Sequence, residues 1–364
     1  MAEEVGVSNR TAFLKELCEA FGPPGLEDDV AAILRGRTEE FCEVGRDNIG
    51  SFVATKAGTA EAPRIMVAGH MDEVAFMVTD VESSGYLRLR PLGGWWPHVL
   101  LGQRVKVRTR KGEFLGVIGS KPPHELKAED RKKVLEFDDL FVDLGVTADF
   151  DVVEATGVRR GDFVVPHAPF ETLANENLHV VKAWDNRVGC ALAVELLETL
   201  RDVEHPNTVC GVATVQEEVG LRGAVTSAEK VKPDIAFAVD VGIARDTPGH
   251  GGAEKNQEKL GGGAAVLLLE GSAVSHPRLV RFVLDVAEEE KIPHHTTTIQ
   301  RGSTDANRFQ ISGQGIPSMA ICVPSRYIHS HSSIVDQRDY DAALKLLVAV
   351  TRRLDAQTVA RIRG

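Results

Sequence analysis

Apolar side chains recur at two spacings along the chain, and the spacing changes twice. In the first part, apolar residues at helical spacing predict a helix that ends at Gly22 and Pro23, and a second helix over residues 30–41. The run RIMVAGH, residues 64–70, is short and almost wholly apolar. Such a run is typical of a buried strand, and this one ends in His70.

The second part, between about residues 74 and 166, alternates with a period of two. Residues 85–90, GYLRLR, and residues 104–114, RVKVRTRKGEF, place apolar side chains on one face and charged side chains on the other. Further short apolar runs follow before residue 166. We therefore predict a small, mostly β unit in this part of the chain.

In the third part, after about residue 168, strand patterns alternate with helix patterns. This alternation predicts a largely parallel sheet with helical crossovers, and therefore an α/β fold. The glycine-rich stretch 249–263 predicts a loop, and it lacks the GK[ST] ending of a phosphate-binding loop. The predicted strands cover residues 178–185, 208–218 and 235–242, and the predicted helices cover residues 188–200, 276–290 and 340–354.

Composition limits the kinds of partner that the protein is expected to bind and the cellular compartment in which it is expected to work. A chain of 364 residues exceeds one typical domain, and its net charge of −11 opposes binding to a nucleic-acid backbone. No apolar run reaches the ~18 residues that span a bilayer, and the acidic N-terminal sequence MAEEVGVSNR has no apolar segment of a secretory signal. The five cysteines are scattered, which is typical of reduced thiols. We expect a cytoplasmic protein with no membrane or nucleic-acid partner.

Metal-ligand side chains stand at or near the ends of the predicted strands. In open α/β sheets, ligands bind beyond the carboxyl ends of the strands. Histidine and carboxylate ligands together suit Zn²⁺, Co²⁺ or Mn²⁺. Two histidines and three carboxylates exceed the needs of one catalytic zinc ion, but they suffice for two ions if one carboxylate bridges them. The candidates are His70, Asp72, Asp185, Glu217, Glu218, Asp240 and either His329 or His331.

Two local patterns indicate more specific roles. Neighbouring side chains in an extended strand point to opposite sides, so Glu217 and Glu218 can serve one site only if the strand ends there. One of them would then bind metal while the other takes a proton from the attacking water. Asp72 follows His70 by two residues and could accept its imidazole N–H. The alternatives are two exposed glutamates at a strand end and a loop aspartate.

Six segments, in this order along the chain, resemble the tetrahedral aminopeptidases, a family that includes the glutamyl aminopeptidases. The resemblance covers nearly the whole chain, and GVIGSKPPH in the β unit also belongs to it. It implies a dinuclear metal exopeptidase with a phosphorylase/hydrolase-like catalytic fold, a small β-barrel insertion and assembly into a tetrahedral homododecamer. The segments are GHMDEV, KAWDNRVGC, QEEVGLRGA, FAVDVG, RGSTDA and SRYIHS.

The resemblance also implies how the ligands are shared. His70 and Asp240 are expected to hold one divalent ion, Glu218 and His329 the other, and Asp185 is expected to bridge both. We expect two zinc ions per subunit, with cobalt or manganese as alternatives.

Other implied roles concern residues around the ions. Glu217 is expected to be the general base, and Asp72 to orient the histidine ligand. His331 has no counterpart in the family's motif, and we expect a structural or subunit-contact role for His124. The sequence departs from the family at Ser303, where a second glycine is frequent. It departs again at Gly261–Gly263, where a lysine is frequent, and both departures affect the substrate pocket rather than the ligands.

A site that combines His70 with Asp185 requires a discontinuous catalytic domain. About 115 residues separate the two side chains in the chain, and a self-contained insertion with closely spaced ends permits them to meet. We therefore predict a catalytic domain of residues 1–72 and 168–364. Residues 73–167 are predicted to be a β-rich insertion that serves assembly or access.

The function predicted from these observations is removal of N-terminal residues from peptide substrates. A related metal-dependent amidohydrolase or carboxypeptidase remains an alternative, because it could use the same ions. An endoglucanase is disfavoured, because glycosidases need no histidine ligands and only 5% of the residues are aromatic. A non-enzymatic scaffold is disfavoured because Glu217 and all five ligands are present.

Overall fold

The computed structural model describes residues 2–249 and 258–364. Most of the predicted glycine-rich loop, residues 250–257, lies outside the described residues. Three strands precede the β unit, namely β1 (Glu43–Arg46), β2 (Phe52–Lys56) and β3 (Arg64–His70). Six strands form that unit, namely β4 (Ala75–Val81), β5 (Leu87–Leu92), β6 (Arg104–Thr109), β7 (Gly112–Ser120), β8 (Leu140–Asp143) and β9 (Phe163–Pro166).

Nine further strands follow the β unit within the described residues. They are β10 (Glu171–Thr172), β11 (Leu178–Val181), β12 (Thr208–Thr214), β13 (Ile235–Ile243), β14 (Ala264–Glu270), β15 (Ala273–Val274), β16 (His294–Thr298), β17 (Ser318–Arg326) and β18 (Ser333–Asp336). The helices described are α1 (Ala2–Glu19), α2 (Asp28–Thr38), α3 (Val152–Thr156), α4 (Trp184–Thr199), α5 (Arg222–Val231), α6 (Pro277–Glu289), α7 (Ala306–Gln310), α8 (Gln337–Arg353) and α9 (Ala356–Arg363).

The predicted fold class is confirmed. One large mixed sheet has the strand order β1-β2-β12-β3-β13-β17-β18-β11-β10, and β14, β15 and β16 join it beside β17. The four strands β12, β3, β13 and β17 at its centre are parallel. Most outer strands pair antiparallel, whereas β16 pairs parallel with β14. The six strands β4 to β9 close into a separate barrel in the order β4-β5-β8-β7-β6-β9. The exact division of domains at residues 73–167 stays a prediction.

The central strands are buried because helices cover both faces of the sheet. Every residue of β12 is buried, as expected for a parallel strand between two helical layers. Helix α4 packs across β3, β12 and β13 on one face, while α5 and α7 pack on the other. The barrel has its own core, where Leu87 and Leu89 point inward and Arg90 points to solvent. No helix of the described part of the chain is both long and apolar enough to cross a membrane.

Two predicted strands end earlier than expected. The strand predicted over residues 178–185 ends at Val181, because Ala183 adopts a left-handed φ of 56° and turns the chain into α4. The strand predicted over residues 208–218 ends at Thr214, and Gln216 has a φ of 55°. A residue in this conformation cannot continue a strand. Asp185 therefore lies at the start of α4, and Glu217 and Glu218 lie in a turn, rather than on strands.

Candidate metal centre

The parallel centre of the sheet brings three of the candidate segments together. His70 is the last residue of β3 and pairs with Thr214, the last residue of β12. The turn that follows β12 carries Glu217 and Glu218. Asp240 lies within β13, the neighbour of β3 on the other side. These side chains therefore meet at the edge of the sheet that is formed by the carboxyl ends of its central strands.

Two further side chains reach this edge from connecting segments. Asp185 lies at the start of α4, where its φ of −79° and ψ of 103° depart from helical values. His329 lies between β17 and β18 with a left-handed φ of 54°. Its Nδ1 lies 2.7 Å from the carbonyl oxygen of Gly94, so Nδ1–H donates there and Nε2 is free to bind a cation. The barrel thus supplies a backbone contact that fixes this imidazole.

The distances divide the cluster into two groups that share one carboxylate. Asp185 lies between the histidines, with Oδ1 at 3.1 Å from Nε2 of His70 and Oδ2 at 3.3 Å from Nε2 of His329. The first group adds Asp240, and the second adds Glu218. Within each group the ligand atoms all lie within 4.8 Å of one another. This is the arrangement expected of two cations bridged by Asp185.

The donor set fits divalent metal ions. Each group combines one imidazole nitrogen with carboxylate oxygens, which is a ligand combination that zinc and related ions accept. Oε1 of Glu218 is buried and makes no hydrogen bond in the described residues, and it lies 3.4 Å from Nε2 of His329. Buried polar atoms are rarely left without a hydrogen bond in folded proteins, so a carboxylate oxygen placed in this way beside an imidazole fits a metal ligand.

The electrostatics of the cluster point the same way. Burial, together with the neighbouring Asp185, raises the pKa of Asp240 well above its ordinary value. Burial and Asp185 also raise the pKa of Glu218 to about 8, although His329 opposes this shift. Burial alone would lower the pKa of His329, but Glu218 and Asp185 raise it to about 10. Carboxylates crowded in this way need nearby positive charge to be ionised together, and metal ions would supply it.

Glu217 reaches the same edge without a side-chain hydrogen bond to any described residue. Its Oε2 lies 3.7 Å from Nε2 of His70. Burial raises its pKa well above the ordinary value, and Glu218 and Asp240 add to the shift. His70, Glu217 and Glu218 also form a third group with ligand spacing. The position is therefore suitable for a base beside the ions, and a ligand role is the competing possibility.

Asp72 makes different contacts from those that the sequence predicted. His70 directs Nδ1 to the backbone oxygen of Asp72 at 3.0 Å, while the carboxylate oxygen Oδ1 lies 3.6 Å away. The fully buried carboxylate instead accepts two backbone N–H groups, from Glu217 at 2.9 Å and from Glu218 at 3.0 Å. The spacing of His70 and Asp72 could not reveal partners that lie 145 residues away.

The remaining histidines that the sequence singled out lie outside the cluster. His331 is buried, and its Nε2 lies 3.0 Å from the carbonyl oxygen of Arg104. Burial lowers the pKa of His331 to about 4, so this ring is neutral. His124 is exposed in a single 3₁₀ turn, Pro123–Glu125. Its subunit-contact role stays a prediction.

A cavity of about 390 Å³ opens over the cluster. Its wall includes Ile243, Ile299 and Ile328, together with Arg301 and the Gly302–Thr304 segment. Arg301 and Ile328 lie in the segments RGSTDA and SRYIHS, but the sequence assigned them no role, because the wall is built from separate segments with no regular spacing. The departure noted at Ser303 does lie in the wall of this cavity, whereas Gly261–Gly263 do not line it.

An α/β sheet with a cluster suited to two cations at its carboxyl edge, and a barrel beside it, fits a metal-dependent hydrolase. Comparison with known proteins identifies the enzyme family to which the chain belongs. The sequence pattern of the M42 glutamyl aminopeptidase family matches residues 50–346. The chain therefore belongs to the M42 glutamyl aminopeptidase family, and it is an aminopeptidase.

Relatives and solved structures agree with this assignment. The chain is 38% identical to a glutamyl aminopeptidase of Lactococcus lactis, over 96% of this chain and 98% of the relative. It is 33% identical to a lysyl aminopeptidase of Pyrococcus furiosus, over 94% and 96% of the two chains.

Among solved structures, the TET aminopeptidase from the marine sediment archaeon Thaumarchaeota archaeon SCGC AB-539-E09 has a TM-score of 0.94 at 42% identity, covering 98% of this chain and 99% of that one. A Pyrococcus horikoshii TET1 peptidase, described as able to assemble into a tetrahedron or a large octahedral shell, has a TM-score of 0.84 at 30% identity. That match covers 95% of this chain and 100% of the other.

Proposed function

We propose that the chain removes N-terminal residues from peptides by hydrolysis at two divalent ions. Zinc is the metal we expect, with cobalt or manganese as alternatives. His70 and Asp240 would hold one ion, Glu218 and His329 would hold the other, and Asp185 would be a ligand of both. The observation that carries this proposal is the position of Asp185, with one carboxylate oxygen within 3.3 Å of each histidine.

Side chains around the ions have separate roles in proton transfer and in positioning. Bound divalent ions lower the pKa of water and polarise the scissile carbonyl group. Glu217 accepts a proton from the attacking water and returns it to the leaving amine. Asp72 keeps the two glutamates in place through their backbone N–H groups, and its backbone oxygen orients the imidazole of His70.

A chelator and a blocked substrate test this function together. The enzyme should cleave an unblocked aminoacyl-p-nitroanilide, lose activity when its metal is removed, and recover it when Zn²⁺ is added. The same substrate with an N-acetyl group should not be cleaved, because an aminopeptidase acts on a free N-terminal amino group. Comparable rates on both substrates would favour the amidohydrolase alternative.

The cavity wall favours an acidic N-terminal residue. Arg301 is the one lysine or arginine among the described residues that line the cavity. The isoleucines at 243, 299 and 328 suit the methylene groups of a glutamyl side chain, whose carboxylate would meet the guanidinium. Of the two named specificities among its relatives, glutamyl therefore fits this cavity better than lysyl.

Substitution of Arg301 tests the preference. A charged hydrogen bond contributes about 1.5–3 kcal/mol, so Arg301→Ala should lower kcat/KM for glutamyl-p-nitroanilide by roughly 10- to 100-fold. Activity on leucyl-p-nitroanilide should change little, and Arg301→Glu should raise activity on the lysyl substrate. An unchanged ratio of glutamyl to lysyl cleavage in both variants would exclude this role.

We also propose that the chain assembles into a tetrahedral dodecamer with its active sites inside. A relative of known structure is described as forming tetrahedral or octahedral shells. The barrel exposes large apolar side chains, including Trp96 at 62% and Leu115 at 56% exposure, as interfaces commonly do. Such a shell would admit unfolded peptides and exclude folded proteins. The cytoplasmic location stays a prediction.

A further inference from the structure

Three consecutive backbone N–H groups, in the turn formed by residues 216–218, are each accepted by a carboxylate from a distant segment. Asp72 accepts from Glu217 and Glu218. Oε1 of Glu27, which precedes the turn by 189 residues, accepts from Gln216 at 3.1 Å. We propose that Glu27 is a positioning residue for this turn, and that its contact with Gln216 holds Glu217 and Glu218 in their working positions. The inference rests on the proposed function.

The turn needs such a contact because its conformation is unusual. Gln216 has a φ of 55°, a left-handed conformation that side chains other than glycine rarely adopt. This conformation ends the extended chain after β12, and it allows both glutamates to line one cavity instead of pointing to opposite sides. The N–H of Gln216 is the first in the turn, so its partner fixes where the reversal begins.

Glu27 is itself held in place. The same oxygen, Oε1, accepts the N–H of Gly25 at 2.7 Å, and the backbone oxygen of Glu27 accepts the N–H of Ala31 in α2. The preceding chain is fixed by Arg187, which donates to the carbonyl oxygen of Gly22 at 3.3 Å. A methyl group added at Gly22 would lie 2.6 Å from the guanidinium of Arg187, so this approach is close. A buried, anchored carboxylate can hold a turn that would otherwise relax.

Glu27 does not serve the helix that it precedes. It occupies the position before the first residue of α2, where a side chain commonly accepts a helical N–H. Its side chain makes no such hydrogen bond. Glu27 is only 4% exposed, and its carboxylate faces the catalytic turn instead. Its burial is therefore explained by the contact with Gln216 and Gly25 rather than by helix capping.

Four variants distinguish the effect of the length of the Glu27 side chain from the effects of its charge and of protein stability. Glu27→Asp keeps the charge but shortens the side chain, and Glu27→Leu keeps the size but removes the acceptor. Glu27→Gln keeps the acceptor oxygen at full reach. The matched control is Asp339→Asn, because Asp339 is another buried carboxylate that accepts two backbone N–H groups, from Gly261 and Gly263, and neither glycine lines the cavity.

The expected ranking follows from reach. Misplacing reacting groups by about 1 Å can cost about 100-fold in rate, so kcat per metal-loaded chain should fall by roughly 10- to 100-fold in Glu27→Asp and Glu27→Leu, with KM within about threefold. Glu27→Gln should stay within about threefold of the wild type. Burial and Asp72 raise the pKa of Glu27 to about 7, which agrees with a neutral group being tolerated there. Asp339→Asn should lower Tm without lowering kcat.

Metal release gives a second readout that does not depend on turnover. Because Glu218 lies on the same turn, chelator-driven release of one of the two ions should be about tenfold faster in Glu27→Asp and Glu27→Leu, while the other ion is released at the wild-type rate. Either variant suffices if the other does not fold. The inference, but not the proposed function, would be overturned if the variant that folds had wild-type kcat and wild-type metal release. It would also be overturned if Glu27→Gln showed a defect equal to that of Glu27→Asp. A wild-type chain without metal-dependent activity would overturn the proposed function with it.

Discussion

Replacing Glu217 by glutamine isolates proton transfer from the other roles of the cluster. The side chain is 10% exposed, and its nearest cationic neighbour, Nε2 of His70, is 3.7 Å away. The backbone N–H of Glu217 is held by Asp72, which the substitution does not touch. Burial and the carboxylates around it raise the pKa of Glu217, so a neutral glutamine should not destabilise the metal-free fold. The variant is therefore expected to fold and to keep both ions.

The loss should appear in kcat. A positioned base contributes about 10²- to 10⁴-fold in rate, which corresponds to about 2.7–5.4 kcal/mol in the activation free energy. Steady-state kinetics on glutamyl-p-nitroanilide should show this loss with KM nearly unchanged, and elemental analysis should still find two ions per chain. Glu218→Gln is the matched variant on the neighbouring residue, and its defect should be lost metal that added Zn²⁺ partly restores.

Two results would refute this assignment of Glu217. The first is a Glu217→Gln variant that binds two ions and retains more than a few per cent of the wild-type kcat. The second is a variant that loses activity together with one ion, because Glu217 would then act as a ligand in the group with His70 and Glu218.

Three further predictions follow from the same geometry. Asp185→Asn should weaken binding of both ions in a calorimetric titration, whereas His329→Ala should weaken one; equal effects would exclude the bridge. Light scattering should find a particle of about 473 kDa, twelve chains of 39.4 kDa, and a monomer as the sole active species would refute the assembly. Burial raises the pKa of Asp339 to about 7, above the ~3.9 of an unfolded aspartate. Its contribution to stability is therefore full below pH ~4 and lost as the pH rises through about 7. Tm should fall from about pH 5 to about pH 8 by more in the wild type than in Asp339→Asn; equal falls would contradict the raised pKa.

Buried strands were the part of the fold that the sequence predicted best. The run at residues 64–70 is observed as β3 with the same bounds, and the strand predicted over residues 235–242 is observed as Ile235–Ile243. Both lie at the centre of the sheet, where covering on two faces demands an uninterrupted apolar run. Chain reversals were harder to predict. A glycine often marks a left-handed position in a sequence, but here Ala183 and Gln216 adopt that conformation instead.

The candidate ligands could be identified from residue type and position, whereas their supports could not. All five predicted ligands meet at one edge of the sheet, although their roles there stay predictions. The partner of Glu27 lies 189 residues away, and the contact is to a backbone N–H, which leaves no trace in residue identity. The cavity wall is likewise assembled from separate segments, so the charge of Arg301 became informative only once its neighbours were known.

Titration of the metal-free enzyme with Zn²⁺ tests the dinuclear centre most directly. Activity on an unblocked aminoacyl-p-nitroanilide would be followed together with the number of ions bound per chain. The two groups that share Asp185 predict that activity reaches its plateau only when two ions are bound. Full activity with one ion per chain, or with none, would contradict the account.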